Sequence, residues 1–220
     1  FLCCLLILWL FSEGYFWRQL LLTLLVGAWS GRLTLHLARR FSPSQDDPRY
    51  ERILSRFVLP APLPVKVLLL YLIQGAIASF LSLPFLLIFS NTAAAFSAWE
   101  MYGVLVWGIG FWGVTTADRG LAHFRAEDST GQGICMTGLW RYSRHPNYFF
   151  EWMIGVAYAM LSLGASWGFL GVVAPLTMFY LLAQVSGIPI TEEISLEKRG
   201  QGYAFYQQTT SAFFPWWPGL

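Results

Sequence analysis

Charged side chains are scarce in this chain of 220 residues. Only 12% of its residues are Asp, Glu, Lys or Arg, whereas 56% are hydrophobic, and the mean hydropathy is positive. A water-soluble domain carries roughly 25% charged residues. This composition therefore excludes a soluble globular protein, and it also excludes a mainly disordered chain. The sequence predicts an integral membrane protein.

Several motifs of soluble enzymes are also missing. The three cysteines, Cys3, Cys4 and Cys135, form neither a disulfide framework nor a metal-binding spacing. There is no P-loop, no GxGxxG after a strand and no zinc pattern. Acidic residues interrupt the basic ones, so no basic stripe is formed. We therefore expect no metal site and no nucleic-acid partner.

The chain does contain long hydrophobic runs. About 20 apolar residues cross roughly 30 Å of hydrocarbon as a helix, and a helix satisfies its own backbone in lipid. Six spans are predicted, at residues 1–11, 16–38, 64–89, 93–117, 148–163 and 167–187. The predicted fold class is all-α, a polytopic membrane helical bundle in a single domain of residues 1–220. The chain starts inside an apolar run, which leaves room for a seventh span upstream.

Lysine and arginine collect in alternate connections between these spans. Of the 14 cations, 12 follow the second, fourth or sixth span, and an opposite connection holds only Arg18, close to Glu13. The positive-inside rule places the rich segments and the C-terminus in the cytoplasm. Residues 39–63, 118–151 and 188–215 are expected to form a pocket there. The last segment is expected to carry an interfacial amphipathic helix, followed by aromatic headgroup anchors.

The densest polar cluster is GLWRYSRHPNYFFEW, residues 138–152. The proline after His145 disfavours helix before it, and a helix can begin just after it. The free N–H groups of a helix start, together with Arg144, suit a phosphate or carboxylate. Asn147 and Glu151 lie one turn apart on that helix, where a carboxylate is unfavourable without a partner. These residues predict a binding site.

Some residues of the same stretch have a simpler interpretation. Trp140, Arg141 and Trp152 suit an interfacial belt that anchors the end of a membrane helix. A simple anchor does not need His, Asn and Glu on one turn, so Arg144, His145, Asn147 and Glu151 are interpreted as a binding site.

Three further groups could carry chemistry. Asp118 and Arg125 lie two helical turns apart on one face, and could hold ribose hydroxyls and a phosphate or form a solvated helix end. His36 lies inside the second span, where it should face an internal cavity, and it is the predicted catalytic residue. Glu192 and Glu193 are paired carboxylates, expected to meet cations of other segments or a ligand.

These motifs resemble a known family. GLWRYSRHPNYFFEW, followed by IPITEEISLEKRGQGYAFYQQTTSAFFPW, resembles the bacterial DUF1295 family, which is grouped with the C-terminal region of the steroid 5-alpha-reductases. RLTLHLARR, DDPRY and ADRGLAHF are similar to its earlier motifs, so the resemblance covers nearly the whole chain. RHPNY is also similar to the RHPxY of isoprenylcysteine carboxyl methyltransferases, which bind S-adenosylmethionine with the matching region.

The resemblance implies a reductase of the bacterial inner membrane that transfers a hydride from NADPH. Its substrate would be an activated double bond in a lipid or steroid-like molecule surrounded by membrane lipids, and the cofactor would supply the hydride. His36, predicted from its position inside the second span, would then be the acid. Asn147 and Glu151 match the Asn and Glu of the reductases' GANFLGE segment. Taken together, the local motif and the resemblance predict these cofactor-binding residues: Asp118, Arg125, Arg144, His145, Asn147, Tyr148, Glu151, Glu193 and Tyr206.

The sequence departs from the reductases at three positions. Val114 replaces an Asn, Phe150 replaces a Gly, and Leu33 aligns with the catalytic Tyr. Two alternatives therefore stay open. One is a methyltransferase that binds S-adenosylmethionine through the RHPNY segment and the Glu192–Glu193 pair. The other is a non-catalytic membrane protein that binds lipid.

Overall fold

The computed structural model describes residues 2–40, 48–56 and 60–219. Within these ranges the chain is helical and has no β-strand. Asp46 and Asp47 of the DDPRY motif lie outside them. The α-helices of the described chain are α1 (Leu2–Phe11), α2 (Phe16–Arg40), α3 (Pro48–Ser55), α4 (Leu63–Leu81), α5 (Leu83–Phe89), α6 (Ala98–Glu127), α7 (Pro146–Ser162), α8 (Val173–Tyr180), α9 (Ile188–Arg199) and α10 (Gln201–Thr209).

Prolines set several helix boundaries. The helix expected after His145 begins at Pro146, as predicted. The run predicted at residues 64–89 is divided at Ser82 into α4 and α5, because Pro84 has no N–H to continue the hydrogen-bond ladder. The run predicted at residues 93–117 begins at Ala98 and continues to Glu127. The polar residues after Ala117 include no proline, so nothing ends the helix there.

Three described helical runs are long and apolar enough to cross a membrane. They are Phe16–Arg39, Leu63–Phe89 and Gly168–Arg199. The third run joins the 3₁₀ turn Gly168–Val172, α8, the π-helical turn Leu181–Val185 and α9. The chain is thus an all-helical membrane protein, and the count of six spans stays a prediction.

Backbone packing divides the chain into two compact units. The first unit joins the residues up to Leu105 with Val156–Thr177, and the second joins Val106–Gly155 with the residues from Met178 onward. Because α6 and α7 contribute to both, each unit is discontinuous in sequence. The prediction of a single domain stays a prediction.

The first unit has an aromatic core and a buried ion pair. The ring of Tyr158 on α7 meets those of Phe85, at 4.9 Å, and Trp29, at 6.4 Å, in edge contacts. Arg18 at the start of α2 pairs with Glu100 in the first turn of α6. Both side chains are almost fully buried. Glu13, the acid nearest to Arg18 in sequence, is exposed.

The second unit is held by close helix packing and by aromatic rings. A Cβ on Gly110 of α6 would lie 2.9 Å from Ile154 Cγ1 and 3.1 Å from the carbonyl oxygen of Phe150. Glycine thus allows α6 and α7 to approach closely. The indole of Trp152 packs against Phe179 and Phe213, which fixes the C-terminal segment against α7.

Candidate functional site

A buried turn precedes α7 in the second unit. Its residues Ser143, Arg144 and His145 are all buried. The backbone N–H of Arg144 donates to the carbonyl of Ser211 at 2.8 Å. The Ser143 hydroxyl donates to the carbonyl of Phe213 at 2.9 Å and accepts from the His145 N–H at 3.1 Å. The C-terminal segment therefore fixes the turn from which α7 begins.

The guanidinium of Arg144 is the centre of this site. Its Nε donates to Glu192 Oε1 of α9 at 2.6 Å. One terminal nitrogen donates to the carbonyl of Gln207 at 2.8 Å and also to that of Thr210. Because Thr210 follows the last residue of α10, Arg144 satisfies carbonyls left open at a helix end. Arg144 thus joins the turn to α9 and α10.

Glu192 accepts hydrogen bonds from three side chains. Besides Arg144, His145 Nε2 lies 3.2 Å from its Oε1, and Gln207 Nε2 donates to its Oε2 at 3.0 Å. Charge-assisted bonds of this kind favour an ionised carboxylate. We call these four side chains, Arg144, His145, Glu192 and Gln207, the arginine–glutamate cluster.

His145 is held in a defined orientation. Its ring stacks on that of Tyr148, with a centroid distance of 5.3 Å and an interplanar angle of 11°. The Tyr148 hydroxyl lies 3.3 Å from Thr191 Oγ1. Burial lowers the pKa of His145, the hydrogen bond to the Glu192 carboxylate and its negative charge oppose this, and the Arg144 charge adds to the lowering. The imidazole is therefore favoured in its neutral form, with one ring nitrogen fixed by Glu192.

Two buried tyrosines of α10 lie beside the cluster. The Tyr206 hydroxyl donates to the carbonyls of Trp140 and Ser143. Burial raises the pKa of Tyr206, and burial together with the Glu192 charge raises the pKa of Tyr203 to about 12. The Tyr206 hydroxyl is thus protonated and positions the turn.

The other predicted cofactor-binding residues also lie in the second unit. Asp118 is half-buried and Arg125 exposed on α6, while Asn147, Glu151 and Glu193 are half-buried. Asn147 Oδ1 accepts from the Tyr148 N–H at 3.0 Å. All nine predicted cofactor-binding residues therefore belong to one unit.

The predicted catalytic residue lies elsewhere in the chain. His36 is half-buried on α2 of the first unit. Its role stays a prediction.

The sequence did not single out every residue of the site. The carboxylate that binds Arg144 and His145 is Glu192, next to the predicted Glu193. The paired acids were a signal for this position. No sequence signal indicates Gln207 or Ser143, because an amide in a polar tail and a serine in a turn are common.

Comparisons with known proteins place the chain in a family. The DUF1295 family model, described as a protein of unknown function, matches residues 1–210. An uncharacterized protein of Schizosaccharomyces pombe is 26% identical over 232 aligned residues, which cover 90% of this chain and 63% of that protein. The chain thus spans less than two thirds of the length of this relative. No solved structure matches the chain. Since the family match covers nearly all of the sequence, the chain belongs to the DUF1295 family.

Proposed function

We propose that the protein is a membrane-embedded, NADPH-dependent reductase of an activated double bond in a lipid or steroid-like substrate. One observation carries this proposal: the nine residues predicted as cofactor contacts all lie in the second unit. Four of them, Arg144, His145, Tyr148 and Tyr206, lie in or contact the turn before α7 and its first residues. A cofactor-binding half of the protein would show this grouping.

The chemistry of the second unit fits a dinucleotide. Arg119, Arg125 and Lys198 are exposed cations suited to phosphate groups, and the Asp118 carboxylate suits ribose hydroxyls. When bound, NADPH would supply the hydride, while the protein supplies orientation. The guanidinium of Arg144 already bonds Glu192 and two carbonyls. In this proposal it positions the turn, and the exposed arginines contact the phosphates.

A topology with six spans belongs to the same proposal. The positive-inside rule places the C-terminus of this inner-membrane protein in the cytoplasm. Phe205, Phe214, Trp216 and Trp217 of the C-terminal segment are exposed, which supports an interfacial helix with an aromatic anchor. His36 would be the acid that protonates the acceptor.

A second candidate function is favoured by one contact. The methyltransferase hypothesis assigns S-adenosylmethionine to the RHPNY segment and to the Glu192–Glu193 pair. The structure joins these two elements, with Arg144 Nε 2.6 Å from Glu192 Oε1. A methyltransferase acting on a membrane-associated substrate is therefore the alternative.

Ligand-dependent stabilisation separates the proposals. At a concentration of one hundred times its dissociation constant, NADPH should stabilise the purified protein by about 2.7 kcal/mol, measured by thermal unfolding in detergent. Asn147→Ala and Arg125→Ala should reduce this stabilisation. Lys66→Ala, outside the predicted pocket segments, is the control and should preserve it.

Each other outcome has a defined meaning. Stabilisation by S-adenosylmethionine and not by NADPH would replace the reductase with the methyltransferase. No stabilisation by either would favour the non-catalytic lipid-binding protein. An unchanged NADPH response in both alanine variants would show that the nucleotide binds elsewhere.

A further inference from the structure

The middle of α4 is exposed on every side. Of the residues Leu63–Leu81, Leu70 is buried. The six residues that follow it, 71–76, are all exposed. A helix has about 3.6 residues per turn, so six consecutive residues cover its whole circumference. Within the described chain every side of this stretch is therefore exposed, although it belongs to the most apolar of the three candidate spans.

A polar side chain lies in the middle of this exposed stretch. Gln74 is eleven residues after Leu63, or about 16 Å along the helix at about 1.5 Å per residue. This depth is near the centre of a hydrocarbon layer of about 30 Å. A primary amide carries two hydrogen-bond donors and an acceptor, and lipid tails offer no partner for them. Polar side chains at such depths usually bind another helix.

The residue after Gln74 favours a close approach of that other helix. A Cβ on Gly75 would meet nothing within 4 Å, whereas the space beside Gly110 on α6 is occupied by α7. Glycine is unfavourable inside a helix, and in membranes small residues let two backbones come together. Ser79, one turn later, donates its hydroxyl to the Gly75 carbonyl at 2.9 Å, so it presents little polar surface.

We propose that α4 is the contact through which two copies of this chain associate in the membrane. A partner must offer both a donor and an acceptor to the amide at the same depth. A second copy related by a two-fold axis does so, because the Gln74 amides of the two copies can donate to each other reciprocally. Gly75 then lies beside the axis and permits the close approach.

Energy transfer between copies carrying donor and acceptor fluorophores, reconstituted in phosphatidylcholine vesicles, tests this proposal. Association should rise with the protein-to-lipid ratio. Gln74→Leu should raise the ratio at half-association by about 9- to 250-fold, as expected when both hydrogen bonds of the reciprocal pair are lost. Gly75→Leu should also weaken association. Since both changes add apolar atoms to an exposed apolar helix, folding should be preserved.

Matched controls use the same substitutions at open positions. Gln208 is exposed on α10, and a Cβ on Gly108 of α6 would meet nothing within 4 Å. Gln208→Leu and Gly108→Leu should leave association unchanged. Energy transfer that stays at the background of random proximity at every ratio would overturn the proposal, since a second copy would then not be the partner of Gln74. Association that persists equally in Gln74→Leu and Gly75→Leu would overturn it as well.

Discussion

Replacing Arg18 should test how the first unit is held together. Its Nε and one terminal nitrogen donate to the Glu100 carboxylate. The remaining donors reach the carbonyls of Asn91 at 3.2 Å, Ala93 at 2.6 Å and Ala95 at 2.9 Å. The arginine thus fixes the connection between α5 and α6. Glu100 Oε2 also accepts from the Ser97 N–H at 2.7 Å, which completes a capping box at the start of α6.

The expected magnitude follows from these contacts. Arg18→Met keeps most of the volume but leaves Glu100 buried without its counter-charge, which costs about 3–5 kcal/mol. The carbonyls of Ala93 and Ala95 belong to exposed residues that water can reach, whereas Asn91 is buried. Its lost hydrogen bond adds about 1 kcal/mol. The free energy of unfolding should therefore fall by about 4–6 kcal/mol.

A double variant separates charge from packing. Adding Glu100→Gln removes the unpaired charge, while glutamine still accepts from the Ser97 N–H in the capping box. The double variant should therefore recover all but about 1 kcal/mol. Unfolding in mixed micelles with increasing SDS measures the free energy of unfolding of the single and the double variant. Arg141→Met, at an exposed position, is the control. A cost below about 1 kcal/mol for Arg18→Met, or a double variant less stable than the single one, would refute this account.

Three further predictions concern the second unit. Gly110→Ala should lower the free energy of unfolding by about 1–3 kcal/mol through overpacking against α7. Gly108→Ala, in open space, should leave it unchanged or raise it by up to about 1 kcal/mol. Unfolding in SDS measures both variants. Glu192→Gln should cost about 1.5–3 kcal/mol by weakening the hydrogen bonds of Arg144, more than Glu193→Gln in the same assay. The pKa of His145 is lowered from 6.5, so below that pH the unfolded state binds more protons. Stability should hold above about pH 6.5 and fall as the pH drops below it, by at most about 1.4 kcal/mol per unit; His145→Gln should flatten this dependence.

Local signals predicted the site better than long-range ones. The start of α7 follows directly from the proline after His145. The partner of Arg144 does not, because Glu192 and Glu193 are neighbours in sequence and only helix orientation separates them. Ile188 is buried one turn before Glu192, so the inward face of α9 selects the first of the two acids.

The ion pair of the first unit likewise does not follow from neighbouring residues in the sequence. Glu100 lies 82 residues from Arg18, while Glu13 is much closer along the chain. The S-x-x-E spacing of Ser97 and Glu100 marks a helix start, but it says nothing about the arginine. Such pairs follow from the tertiary fold, which spacing does not encode.

Phe150, one of the departures from the reductases, packs against a glycine of the facing helix. The resemblance places a glycine at this position, where a close approach would be possible. In this chain the glycine is on α6 instead: a Cβ on Gly113 would lie 2.2 Å from Phe150 Cδ1. Phe150 and Val114 are both buried apolar side chains, and Phe150 fills the space beside Gly113 of α6. The hydrogen bonds of Arg144 and Glu192 use neither residue. The departures therefore alter helix packing and leave the arginine–glutamate cluster intact, and a chain that keeps this cluster can be tested directly for nucleotide binding.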